Sequence, residues 1–234
     1  MDKIDFNKNE LNIYHRDIFS KMSSISSRII SIYKSRQTIL EQLKRQGYNV
    51  EDYVNFSMNE IDSMLSNSQL DMLINNEELD SKIYIKYHFN LKQSTKQIKK
   101  EVLDNIIEDL FVIEEVLTKK DTLIVIIDDE PNDSILNRIK YLYDHDGIFV
   151  IIHNIHRLQF NILDHTLVPN MRILNTKEED EFMKNHQIKS KSQLPEISRF
   201  DPQALVVGLR PGNICHIQRP SITALTTDYY RICV

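Results

Sequence analysis

The sequence predicts a mixed α/β chain built in two parts: an α/β N-terminal part and a small two-layer α+β C-terminal part. Three observations predict it. Two continuous apolar runs, at residues 122–127 and 148–152, flank a helical segment, the order expected of strands buried on both faces and joined by a crossover. Long stretches before residue 118 place apolar residues at helical spacing. From residue 194 onward the chain holds four of its 6 Pro and two of its 4 Gly, which punctuate a compact series of short elements.

The 234 residues are enough for two modest domains. With 41% hydrophobic and 27% charged residues, a packed core is expected rather than disorder. Formal charge is -5. Residues 166–234 carry 9 Lys+Arg against 7 Asp+Glu, leaving 20 against 27 in the rest. Neither part is basic enough to grip a nucleic-acid backbone alone. No run approaches the ~18 apolar residues of a membrane span, and Met1-Asp2-Lys3 opens no signal peptide, so a soluble intracellular protein is expected. The two cysteines, Cys215 and Cys233, lie in apolar strand patterns and read as buried free thiols.

In order, residues 1–24 read as a polar extension with weak helical tendency. Residues 26–46 form an amphipathic helix on the stripe Ile29, Ile32, Tyr33, Arg36, Ile39, Leu40 and Leu43, ended by Gly47. Ser57 with Glu60 three residues on makes a capping box for a short helix over 57–65. Residues 82–90 alternate as a strand. The longest helix is expected over 94–117, on Ile98, Val102, Ile106, Leu110, Ile113 and Leu117. Residues 134–143 form a helix capped by Asp133 or Asn132, and Asn175 or Thr176 caps another through about residue 185, with acids in its first turn.

At the C-terminal end, Pro195 biases Leu194 toward extended backbone. Asp201-Pro202 is a helix-start pair, with Asp as cap and Pro at the first helical position. Gly208 is the left-handed stop, and Arg210-Pro211-Gly212-Asn213 is a tight turn. Residues 214–219 and 229–234 are strands. Arg231 in a small β layer reads as a partner contact or a paired buried ion.

These motifs carry a resemblance. His165-Thr166-Leu167-Val168-Pro169, Ser192-Gln193-Leu194-Pro195-Glu196-Ile197, Asp201-Pro202-Gln203-Ala204, Gly208-Leu209-Arg210-Pro211-Gly212 and Tyr230-Arg231-Ile232-Cys233 stand in order over roughly 70 residues. Together they resemble the assembly domain of the fifth subunit of eukaryotic-type DNA-directed RNA polymerases, a domain that archaeal polymerases have on its own, without the jaw. The chain departs at its last residue, Val234, where cellular members end in Met. Arg45-Gln46-Gly47-Tyr48 is similar to the family's jaw domain. Where that domain has a T-P-S-A turn, this chain has Glu130-Pro131-Asn132-Asp133-Ser134, and only the proline matches.

The resemblance implies a jaw domain over 1–163, restriction-endonuclease-like in fold, and an assembly domain over 164–234. It implies a non-catalytic polymerase subunit with no cofactor and no metal. The C-terminal domain would anchor to the largest subunit through Leu194, Pro195, Asp201, Pro202, Gly208, Leu209, Gly212 and Arg231. The jaw would lie beside downstream duplex DNA through Pro131, Asn132 and Ser134. For Asp201-Pro202, helix capping is a sufficient architectural reading. A cellular member would work in the nucleus, a viral one in the virion and the cytoplasmic virus factory. The unmatched N-terminus, divergent jaw and heavy use of Ile, Asn and Lys favour a large DNA virus.

The competing reading is a stand-alone nuclease. Asp128-Asp129-Glu130 follows a strand, with Glu114 and Glu115 expected on the preceding helix, and Mg2+ takes oxygen ligands. The next lysine, Lys140, is on a helix, so the cluster reads as a solvated acidic loop that repels phosphate. His153 and His156 stand three apart but follow a strand, with no Cys nearby, and no metal is expected there.

Overall fold

The computed structural model describes residues 8–89 and 98–234, with side chains of the first helix from Ser27 onward. The expected strand end at Asn90 and helix start at Ser94 lie outside the described residues, as do residues 1–7.

The first helix, α1 (Lys8–Arg45), is far longer than the stripe predicts, because the backbone before residue 26 is helical as well. The stripe packs as expected from Ile32 on, with Ile32, Ile39, Leu40 and Leu43 buried. Gly47 turns the chain at φ +85. A short helix, α2 (Glu51–Val54), follows, and α3 (Met58–Ser66) opens on the expected Ser57–Glu60 capping box.

The first sheet has order β1-β2-β3-β4. Its edge strand β1 (Met72–Asn76) forms an antiparallel hairpin with β2 (Ser81–Tyr87). β2 pairs parallel with β3 (Thr122–Ile127), and β3 parallel with β4 (Phe149–Asn154). All residues of β3 and β4 are buried, as continuous apolar runs require of strands covered on both faces. One face packs on α1 and α3 through Ile124, Ile126 and Ile151. The other packs on α4 (Lys100–Glu108) and α5 (Asp133–Tyr141) through Leu123, Val125 and Ile152. Asn132 is the α5 cap, accepting from the Ile135 amide at 3.0 Å.

Both of these helices widen at their ends into a π turn, over Asp109–Ile113 and Leu142–Asp146. The widening corrects the expected stripe on the longest helix. Ile113 is exposed, Leu117 is buried from the loop beyond the helix, and Leu103 and Ile107 fill the core. Glu114 and Glu115 therefore lie past the helix end, not on it.

The second sheet has order β5-β7-β8-β6. β5 (Asn170–Ile173) pairs antiparallel with β7 (Ile214–Ser221), and β7 with β8 (Leu225–Cys233). The two-residue β6 (Glu196–Ile197) lies parallel to β8. One face packs on α7 (Pro202–Val207) through Met171, Ala204, Leu209, Cys215, Ile217 and Cys233. The other packs on α6 (Thr176–Asn185) through Leu174, Phe182, Leu194 and Ile214. Asn175 caps α6 in a capping box with Glu178, whose carboxyl is held below its usual range by the Asn175 amide and then by Arg172. Both thiols are free and buried, and burial pushes Cys233 up to about 11.

Candidate docking surface and inter-sheet cleft

The motif series from Leu194 to Arg231 folds into one knot of caps and turns. Asp201 accepts from the Gln203 and Ala204 amides at 2.9 and 3.4 Å, so the pair Asp201-Pro202 starts α7 as the sequence predicts. Gly208 ends it at φ +71, in the left-handed region. Gly212 sits at φ +88 in the turn closed by the Asn213 amide on the Arg210 carbonyl at 3.1 Å, as a type II turn demands of its third residue.

The residues expected to dock separate by burial. Leu194 and Leu209 are inside, in the cores under α6 and α7 respectively. Asp201 is half-buried by its capping bonds. Pro195, Pro202 and Gly212 are exposed, and Gly208 is half-buried. Arg231 is not a buried ion: it donates to the Glu196 carbonyl at 2.9 Å and ties β8 to β6.

Part of this knot faces the first sheet. The Arg210 guanidinium donates to the Lys120 carbonyl, the Asp121 carbonyl at 3.1 Å and Thr122 Oγ1 at 3.2 Å, and lies 5.0 Å over the Phe149 ring. The Tyr143 hydroxyl donates to the Pro211 carbonyl at 3.2 Å, and Gln46 Nε2 to the Val206 carbonyl at 2.7 Å. Sequence reasoning missed this contact, since Arg210 and the start of β3 share no local pattern.

Between the two sheets lies a cleft of about 920 Å³. The C-terminal turns of α1, the first halves of β2 and β3, Ile151 and His153 of β4, the whole of β5 and the end of α7 form its walls. Arg45, Lys120, Arg172 and Arg210 line it, and among the described lining residues none is Asp or Glu. His153 also lines it, from within β4 rather than after it. Burial, and then the Arg157 charge, push its imidazole down to about 4, so it is neutral near pH 7.

Of the residues expected near DNA, Pro131 and Asn132 occupy the turn between β3 and α5, and Ser134 the first turn of α5. Asn132 and Ser134 are exposed, and Pro131 is half-buried. The acids before them are not a free cluster. Asp128 pairs with Arg28 at 2.7 Å, and Arg28 also lies 4.2 Å over the Phe89 ring. Glu130 pairs with Arg157 at 2.9 Å and accepts from Asn154 at 3.2 Å. The loop is therefore less repulsive to phosphate than its sequence suggests. Lys140 lies over the Phe200 ring at 5.5 Å. Among the described residues no three His, Cys, Asp or Glu side chains are grouped to hold a metal ion.

Comparison with known proteins places the second sheet. The model for the C-terminal domain of RNA polymerase Rpb5 matches residues 160–233. The DNA-directed RNA polymerase subunit Rpo5 of Thermococcus kodakarensis is 45% identical over 76 residues, 32% of this chain and 92% of that protein. Rpo5 of Archaeoglobus fulgidus is 40% identical over 77 residues, 33% of the chain and 100% of its own length. Subunit RPABC1 of the DNA-directed RNA polymerases I, II and III of Caenorhabditis elegans is 40% identical over 77 residues, 33% of the chain and 36% of that protein. The C-terminal sheet with its capping helices is thus a polymerase-subunit module, a structural part rather than a catalytic one. The chain belongs to the family of the fifth, non-catalytic subunit of multisubunit DNA-directed RNA polymerases.

Proposed function

We propose that the chain divides near residues 163 and 164 into a jaw-like domain and an assembly domain, the second anchoring the first to the largest polymerase subunit. The observation that carries this reading is the family match confined to 160–233, on a sheet with its own two cores. Of the motif residues, Pro195, Pro202 and Gly212 are exposed and available to a partner, whereas Leu194 and Leu209 support them from beneath. The jaw-like domain is restriction-endonuclease-like in this reading, supported by a mixed sheet with an antiparallel edge hairpin and helices on both faces.

In the assembled polymerase the turn at Pro131, Asn132 and Ser134 lies beside downstream DNA. Its exposure and the pairing of Asp128 and Glu130 with arginines support this placement. Site of action follows the source: the nucleus in a cell, the virion and virus factory for a virus.

The test is cross-linking from a photoreactive residue at position 134 in the purified polymerase. Capture of template downstream of the active centre is expected. Capture of the largest subunit from position 195 or 202 is expected in the same preparation. A polymerase carrying the chain with no DNA cross-link from any jaw position would leave only the anchoring role.

A further inference from the structure

The cleft between the sheets is bordered by a strand with a free edge. Among the described residues β5 ends the second sheet and pairs only with β7. The Leu174 amide donates to the Ile214 carbonyl at 3.0 Å, which fixes the alternation of the ladder. Leu174, Arg172 and Asn170 turn their backbone groups to β7, so Met171 and Ile173 turn theirs to the open side. The side chains of Met171 and Ile173 lie on the α7 face, and Arg172 reaches Glu178 of α6 on the other. Residues of both faces line the cleft, which requires the cleft to meet the strand at its edge.

Proteins cover or charge such edges because unpaired amides and carbonyls recruit another strand. The cleft adds a charge preference. Arg210 is held by backbone carbonyls and a hydroxyl, with no carboxylate on it among the described residues. Arg45, Lys120 and Arg172 pair with Asp164, Asp80 and Glu178 in exposed contacts, the kind worth least and most readily exchanged.

The geometry points to a strand-addition site: an extended segment of another polymerase subunit, bearing acidic side chains, pairs with the free edge of β5 and fills this cleft. Backbone hydrogen bonds to Met171 and Ile173 supply the attachment, and the arginines select the acids. This inference rests on the chain being a polymerase subunit.

Hydrogen exchange by mass spectrometry on peptides spanning residues 168–174 tests it, comparing the free chain with the purified polymerase. Two further amides should become protected on assembly, by about 100-fold or more, the range of hydrogen-bonded core amides. Unchanged exchange in a polymerase that contains the chain would overturn the strand addition while leaving subunit membership intact. A chain that never enters the polymerase would overturn both. Protection in the free chain that grows with its concentration would assign the edge to a second copy and overturn the inference.

Ile173→Pro removes an amide that faces away from β7 and trims a side chain packed on the α7 core, so it should fold with a lowered Tm and enter the polymerase at least about 10-fold more weakly, as loss of a hydrogen bond at an added strand predicts. Ile173→Ala, which trims the same side chain but keeps the amide, should share the lowered Tm and enter normally. Equal incorporation of the Pro variant would overturn the edge pairing. The double variant Arg45→Glu, Arg172→Glu should weaken incorporation as well, and unchanged incorporation would overturn the acidic partner.

Discussion

The two sheets solve burial differently. In the first, β3 and β4 are buried along their whole length, with α1 and α3 on one face and α4 and α5 on the other. In the second, β7 and β8 are covered only near residues 214–217 and 230–233, and their arms run out to an exposed tip at Ile222 and Leu225. The first sheet is held by apolar area. The second relies on single residues that set caps and turns, and it leaves an edge and a hairpin uncovered. In the anchoring proposed above, the uncovered surface of the second sheet is where a partner adds cover, while the first sheet stands on its own core.

Substitution should expose this contrast. Leu123 is fully buried in β3, so Leu123→Ala should cost about 2–5 kcal/mol of the chain's stability in denaturant unfolding. A loss under ~1 kcal/mol, well below that range, would mean that the first sheet can collapse around the cavity and is not the rigid partner.

A second test uses pH. His153 is held neutral, at about 4 against an ordinary 6.5, so the unfolded chain binds a proton that the folded chain refuses between these values. Its contribution is full above about pH 6.5 and lost as pH falls toward 4, by up to about 3 kcal/mol. His153→Gln should flatten the acid side of the stability curve by that amount. An unchanged slope would show that the imidazole reaches water through the cleft.

Smaller effects belong to the second sheet. Gly208→Val places a β-branched residue at φ +71 and should cost about 1–2 kcal/mol, read as a lower Tm. The opposite change is expected at the hairpin tip. Leu225 sits at φ +58, inside a three-residue turn closed by the Thr226 amide on the Ala224 carbonyl at 2.6 Å. Leu225→Gly should relieve about 1 kcal/mol of backbone strain, offset in part by glycine's larger unfolded-state entropy. A Tm that falls would show that Leu225 makes contacts which outweigh its backbone.

What was legible in the sequence was local. Ser57–Glu60 and Asp201-Pro202 cap helices as read, and Asn132 and Asn175 do so where the sequence left two neighbours open, because a cap is made by side chains within three residues of the amides they serve. The apolar runs gave β3 and β4 because runs so short and so rich in Ile and Val fit strands covered on both faces better than helices. β1 was missed: Met72-Leu73-Ile74-Asn75-Asn76 shows no alternation, and Asn76 is buried because its side chain accepts the Glu78 and Leu79 amides. The π turns were missed because a helix pattern fixes a face and not the moment at which the helix widens. Arg36 is the one charged residue in the stripe of the first helix. It is buried with the stripe, donating to the Leu70 carbonyl at 2.9 Å between the rings of Tyr53 and Phe56. Within the candidate site, the turns at Gly208 and Gly212 could be read locally. The Arg210 clamp and the cleft could not, since both join residues far apart in the chain.

The hairpin and the parallel sheet also differ in time. β7 and β8 meet across a three-residue turn, Ser221 against Leu225, a closure that takes on the order of microseconds. β2 and β3 meet only when Ile83 finds Thr122, with a helix folded between them, and such distant pairings must lose loop entropy before contacts repay it. The hairpin of the second sheet can therefore form while the first sheet is still searching for its register.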